Sequence, residues 1–159
     1  MFTGIFPNLQ ATFMLLTWVR SIYGSGASKG TYKVTAADTV TYVKCKAYRK
    51  SKTLSVPEKI TINGASYRVT AVGAKAFSGF SKVKKLSIGA NVVSIGSSAF
   101  QKCKALKTLT VRSARLTKNG CKKALKGSSI KTVKVPKAFR KTAKKIFTRK
   151  ICGKKAAVK

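Results

Sequence analysis

Apolar side chains return along this chain at a fixed interval. Val69, Val72, Phe77, Phe80, Val83, Leu86 and Ile88 are answered 23 residues later by Val92, Ile95, Phe100, Cys103, Leu106, Leu109 and Val111. The stretches Val72-Gly73-Ala74-Lys75-Ala76-Phe77 and Ile95-Gly96-Ser97-Ser98-Ala99-Phe100 keep that register through the Gly and the Ala-Phe pair. Apolar positions in phase over this length predict a stack of supersecondary units, each burying its apolar side against the next. A looser third copy follows at shifts of 24 or 25, where Gly120, Ala124, Leu125, Ile130, Val133 and Val135 answer Gly96, Ala99, Phe100, Leu106, Leu109 and Val111. Asn119 stands where Val or Ile is expected. A terminal repeat departs from the pattern because its outer side meets water.

Each copy closes on an alternating run, Leu86-Ser87-Ile88, Leu109-Thr110-Val111 and Val133-Lys134-Val135, with two apolar side chains on one face and a polar one on the other. These runs predict one short strand per repeat, and the long connections between them predict parallel pairing. Ala76, Phe77, Phe80 and Val83 have helix-like spacing and predict a helical turn on the opposite wall, capped by Ser97 in the second copy. Upstream, the runs 32–35 and 39–43 around Asp38 predict a hairpin. Leu54-Ser55-Val56 reads as a further short strand, and Asn63-Gly64 predicts a second hairpin between the runs 59–62 and 67–69. Pro136, followed by Phe139, Ala143, Ile146, Phe147 and Ile151 at helical spacing, predicts a C-terminal helix covering the end of the stack, with residues 154–159 as a frayed tail. The organisation is then an apolar segment over 1–27, an N-terminal hairpin cap over 28–53, the repeats over 54–136, and a basic helix and tail over 137–159.

The pattern V-x-x-[IV]-G-x-x-A-F-x-x-[CF]-x-x-[LV]-x-x-L-x-[IV] resembles the BspA-type leucine-rich repeat of bacterial surface and secreted proteins, over about residues 54–136. The resemblance implies an α/β repeat solenoid, right-handed, with short parallel strands on one side and short helical turns on the other. It also implies extracellular display and a role in adhesion or in carbohydrate and protein binding.

Charge changes the picture further. The chain carries 35 Lys and Arg against Asp38 and Glu58 alone, a net +33. That exceeds what solubility asks of a small domain and points to an anionic partner. In-register stacking would align Lys84, Lys107 and Lys131 at about 4.8 Å per strand, and with Lys134 they form the candidate anion-facing strip. An anionic partner fits such a strip, whether a wall polymer, a surface glycan or a host protein. Nucleic acid is the alternative partner, for which Arg140, Lys141, Lys144 and Lys145 would add a basic helix face and Tyr32, Tyr42, Tyr48 and Tyr67 would offer stacking platforms. No zinc-finger, RNP-like or P-loop spacing accompanies them.

At 159 residues and 44% apolar composition, the chain supports one modest core. Residues 11–19 form an apolar run of signal-peptide length, too short to span a membrane, with Ser25-Gly26-Ala27 of the kind that precedes a cleavage site. No Lys or Arg precedes that run, so a packed N-terminal segment is the competing reading; a signal places the protein at the cell surface or outside, its absence in the cytoplasm. Cys103 takes the slot of Phe80 and is expected to be buried. Cys45, Cys121 and Cys152 complete the cysteines, for which disulfides after export stay open, while the lack of C-x-x-C spacing and of any His argues against a metal site. Without histidine, and with two carboxylates far apart in sequence, general acid-base catalysis has almost no candidates, and for lysine Schiff-base chemistry nothing distinguishes one lysine from the others, so no enzyme activity, cofactor or small-molecule substrate is expected.

Overall fold

The computed structural model describes residues 22–23, 30–45, 51–62, 64–121, 123–125, 127–148 and 156–159. Eleven strands fall among them: β1 (Ile22–Tyr23), β2 (Gly30–Ala36), β3 (Thr39–Cys45), β4 (Thr53–Val56), β5 (Lys59–Ile62), β6 (Ala65–Val72), β7 (Lys85–Ile88), β8 (Ser94–Ile95), β9 (Thr108–Val111), β10 (Thr132–Lys134) and β11 (Ala157–Val158). A 3-10 turn lies at Asn119–Cys121, and another at Lys137–Phe139 leads into the helix α1 (Arg140–Ile146).

The alternating runs form one five-stranded sheet in the order β11-β10-β9-β7-β4. Its strands pair in parallel, with Leu54, Leu86, Leu109 and Val133 in one register line and Val133 opposite Val158. Those residues turn inward: Leu54, Leu86, Leu109 and Val133 are buried, and Val56, Ile88 and Val111 join them. The stack therefore holds more strands than the periodicity predicts, because β4 and β11 extend it on either side.

The second sheet has the order β1-β2-β3-β6-β5, with β8 added to β6. The expected first hairpin is β2 and β3 around Asp38, and the second is β5 and β6, in which Ile62 faces Ala65. Its Gly64 has φ +80, the left-handed conformation that a tight hairpin turn demands; Asn63 lies outside the described residues. The parallel ladder of this sheet runs from β3 to β6 to β8, pairing Tyr42 with Val72 and Val72 with Ile95. β1 falls within the segment read as a possible leader and pairs antiparallel with β2; the rest of 1–27 lies outside the described residues.

Two expectations change here. The segment 74–82 is a run of turns rather than a helix, and Ser97 caps none. Lys75, at φ 55, and Gly79, at φ 83, interrupt the helical path. The freed amides bond the neighbouring coil instead, Phe77 N to Ala99 O at 2.8 Å and Gly79 N to Gln101 O at 2.9 Å. The same left-handed turn recurs at Ser98 and Lys123, and again at Lys102 and Gly127.

The C-terminal helix is shorter than its apolar spacing suggests and ends at Ile146. It is also a crossover, since β11 follows it and is the last strand of the sheet. The expected frayed tail is, over residues 156–159, this strand: Ala157 N donates to Lys131 O at 2.8 Å, and Lys159 N to Val133 O at 2.9 Å. One continuous apolar core runs from Tyr32 through Phe77 and Phe100 to Phe147.

Candidate functional site

The outer face of the five-stranded sheet carries the side chains that the alternation turns away from the core. Two columns cross it in register. Thr53, Lys85, Thr108 and Thr132 make one, and Ser55, Ser87, Thr110 and Lys134 the other. This face is chiefly an array of hydroxyls, interrupted by Lys85 and ending in Lys134.

At the start of the strands stands the expected lysine ladder, with one more member. Lys84 N donates to Lys52 O at 2.7 Å, Lys107 N to Lys84 O at 3.0 Å, and Lys131 N to Lys107 O at 2.9 Å. Lys52, Lys84, Lys107 and Lys131 are all exposed. Backbone hydrogen bonds from one coil to the next therefore set these lysines about 4.8 Å apart, the spacing of strands in a sheet. Lys134 is exposed too, but it belongs to the hydroxyl column, some residues along the strand from the ladder. The structure thus brings Lys84, Lys107 and Lys131 together and separates Lys134 from them. Lys52 escaped the sequence pattern because the β5–β6 hairpin intervenes before the next rung.

The two carboxylates do nothing for these lysines. Asp38 accepts a hydrogen bond from Arg68 Nη2, and Glu58 Oε1 lies 3.6 Å from Arg112 Nη1. Among the described residues the ladder has no acidic neighbour in ion-pair contact. Its charge is balanced by solvent ions or by a partner.

The alternative basic face also exists. Arg140, Lys141, Lys144 and Lys145 are exposed on α1, while Ala143 and Ile146 are buried against the core. Among the described residues, the tyrosines that a nucleic-acid interface would use as platforms do not accompany it. Tyr32 and Tyr42 are buried in the core, edge to face at 4.9 Å, and Tyr42 stacks on Phe77. Tyr67 is partly buried and packs against the same core; Tyr48 lies outside the described residues.

The cysteines are core residues where they are described. Cys45, Cys103 and Cys121 are buried, and the Cys103 thiol donates to Phe77 O at 3.0 Å. Burial pushes the Cys103 and Cys121 thiols up to about 11, and it raises the Tyr32 phenol as well. Such thiols are poor nucleophiles at neutral pH. Cys152 lies outside the described residues. Among those residues no cluster of His, Cys, Asp and Glu could hold a metal ion, and no helix is long and apolar enough to cross a membrane.

Comparison with known proteins gives a consistent picture. No curated protein matches the sequence. A solved leucine-rich repeat protein from Bacteroides capillosus superposes with a TM-score of 0.60 at 16% identity, covering 87% of this chain and 99% of its own. A leucine-rich cell surface protein from Faecalibacterium prausnitzii superposes with a TM-score of 0.50 at 22% identity over 78% of this chain, which spans 29% of that protein's length. These likenesses are of fold. The BspA type Leucine rich repeat region matches residues 27–152 in six copies, twice the number that the apolar periodicity reveals. The chain belongs to the BspA-type leucine-rich repeat family.

Proposed function

We propose that this chain is a noncatalytic binding module that works at a bacterial cell surface or in the medium, and that the lysine-edged face of its five-stranded sheet takes an extended anionic polymer. The observation that carries the reading is the ladder Lys52, Lys84, Lys107 and Lys131, held in register by backbone hydrogen bonds and left without carboxylate partners. A row of fixed cations at regular spacing binds a polyanion by releasing its condensed counterions, a gain that needs no shaped pocket. Repeat stacks suit such ligands because they extend one binding surface along their length. Family membership and the surface-protein neighbour favour display outside the cell. Catalysis has no support, since the chain lacks histidine and its two carboxylates sit in exposed arginine pairs.

Nucleic acid keeps the basic face of α1 in its favour. Against it, single strands are held by bases stacked on exposed aromatics, and Tyr32 and Tyr42 are spent in the core.

The test is the triple variant Lys84→Gln, Lys107→Gln, Lys131→Gln against dextran sulfate over a range of salt. The variant should bind about tenfold or more weakly at moderate salt, and the slope of log K against log salt should fall by about two. Indistinguishable affinities and slopes would remove the ladder from the binding surface.

A further inference from the structure

Resting on that reading, we infer that a shallow pocket at the far end of the hydroxyl column takes one carboxylate-bearing saccharide unit, so that the polymer bound along this face is an acidic polysaccharide. The pocket has a volume of about 230 Å³ and is lined by Thr110, Val111, Arg112, Lys134, Val135 and Pro136. It forms where β9 and β10 end. Thr110 and Lys134 sit opposite each other in the register, and Arg112 follows β9 with its amide bonded to Ile88 O at 3.0 Å. Pro136 carries no amide hydrogen and starts the next turn, so the backbone there presents carbon to the ligand.

Three features select the ligand. The first is positive charge at the rim, since Arg112 and Lys134, both exposed, are among the lining residues. Arg112 meets Glu58 at 3.6 Å, beyond hydrogen-bond length, and both groups are largely exposed, so its fork of N–H donors remains available for a carboxylate. Lys134 supplies a second cation from the neighbouring strand.

The second feature is the nature of the walls. Val135 and Pro136 are aliphatic and partly exposed, a surface for the C–H face of a sugar ring rather than an aromatic shelf for a base, while Val111 contributes backbone because its side chain is buried. A volume below the ~300 Å³ at which drug-sized sites begin suits a single ring.

The third is the approach. From the pocket, Thr110, Ser87 and Ser55 continue in register across successive strands. Hydroxyls that both donate and accept match the ring hydroxyls of the following sugars. A phosphodiester chain offers acceptors alone along its backbone and makes less use of such a column.

The experiment titrates the full chain with oligogalacturonate, with dextran sulfate and with a single-stranded oligothymidylate of matched charge, all at one ionic strength. Arg112→Gln with Lys134→Gln is compared with the charge-matched exposed pair Lys82→Gln with Lys104→Gln, each checked for an unchanged melting midpoint. The pocket pair should weaken oligogalacturonate by about tenfold, the loss expected for a charge-assisted contact, and should weaken the other two polymers no more than the control pair does. Equal losses from both pairs, or tighter binding of the oligothymidylate than of oligogalacturonate, overturns the pocket assignment while the ladder variant continues to report polyanion binding. Failure of the native chain to bind any of the three overturns the pocket and the polyanion reading together.

Discussion

The rings of Phe77 and Phe100 lie 5.4 Å apart and 16° from parallel, one coil upon the next. Tyr42 continues the column on the other side of Phe77, with centroids 5.0 Å apart and planes 10° from parallel. Both phenylalanines come from the same position of the repeat, and both are essentially without exposure. The aromatic column is therefore the period of the sequence expressed as packing. Phe100→Ala should cost about 3–5 kcal/mol, because it removes a buried ring and leaves a cavity between two coils that cannot both collapse into it. Urea denaturation measures this directly. A loss below about 1 kcal/mol would show that the column is not part of the stable core.

Glycines in this repeat serve two different needs, which substitution separates. A Cβ on Gly96 would lie 2.4 Å from Ala74 N and 2.6 Å from Gly73 C, both backbone atoms of the preceding coil. Gly96→Ala should then cost about 2–3 kcal/mol by forcing coils apart. Gly79 has open space around it and φ +83, so Gly79→Ala should cost only about 1 kcal/mol of backbone strain. Lys102 occupies the corresponding left-handed position at φ 62, and Lys102→Gly should be neutral or mildly stabilising. Thermal melts of the three variants should fall in that order; a Gly96→Ala protein as stable as the parent would exclude close approach of the coils.

How much of this was legible in the sequence depends on what interrupts the period. Within 69–111 the chain inserts nothing, so strands, buried faces and the rungs Lys84 and Lys107 follow from a constant shift. Between Leu54 and Leu86 the β5–β6 hairpin is inserted, and the register partnership of those two leucines is invisible to a fixed shift. At the other end, Ala143, Ile146 and Phe147 fall where Gly96, Ala99 and Phe100 stand in their copy, and all three are buried. Ala in the glycine slot and Ile in the alanine slot disguise them, and real helical geometry over Arg140–Ile146 made the segment read as a separate cap. The turns at 74–82 misled for another reason: apolar spacing reports which side chains share a wall, and it is silent about φ. The pocket around Arg112 was beyond reach, since its residues come from two strands and the segment after them.

The buried thiols give a pH dependence with a definite sign. In the unfolded chain a thiol ionises near its ordinary value of 9.0, whereas burial holds Cys103 and Cys121 up to about 11 in the fold. Below the ordinary value both states carry neutral thiols and the groups contribute no pH dependence. As pH rises from about 9 towards about 11, the unfolded state loses protons first, and stability should fall across that window. Denaturation midpoints in high salt, where lysine repulsion is screened, show this effect most cleanly between about pH 9 and 10, before the buried Tyr32 phenol adds a fall of the same sign; Cys103→Ala with Cys121→Ala should flatten the fall there even though it lowers stability overall. In the native protein at pH 8, both thiols should react with a thiol reagent far more slowly than after denaturation. Rapid native reaction of Cys103 or Cys121 would contradict their burial.

The lysine ladder should itself be a source of instability that its partner relieves. Lys107 has Lys84 on one side and Lys131 on the other, each joined to it by a backbone hydrogen bond, so its ammonium group has two like-charged neighbours on adjacent strands. Unit charges at that separation repel by about 1 kcal/mol in water, and exposure and side-chain flexibility reduce the effect further. Lys107→Gln should accordingly raise stability at low salt by about 0.5–1 kcal/mol, and the gain should vanish at high salt, where the screening length falls to a few ångströms. Lys82→Gln, an exposed change that is not a rung of the ladder, provides the comparison. Added dextran sulfate should raise the melting temperature of the parent more than that of Lys107→Gln, since a ligand bound only by the folded ladder stabilises it by mass action. If Lys107→Gln and Lys82→Gln respond alike to salt and to polyanion, the rungs act as independent solvated charges and the ladder has no collective role.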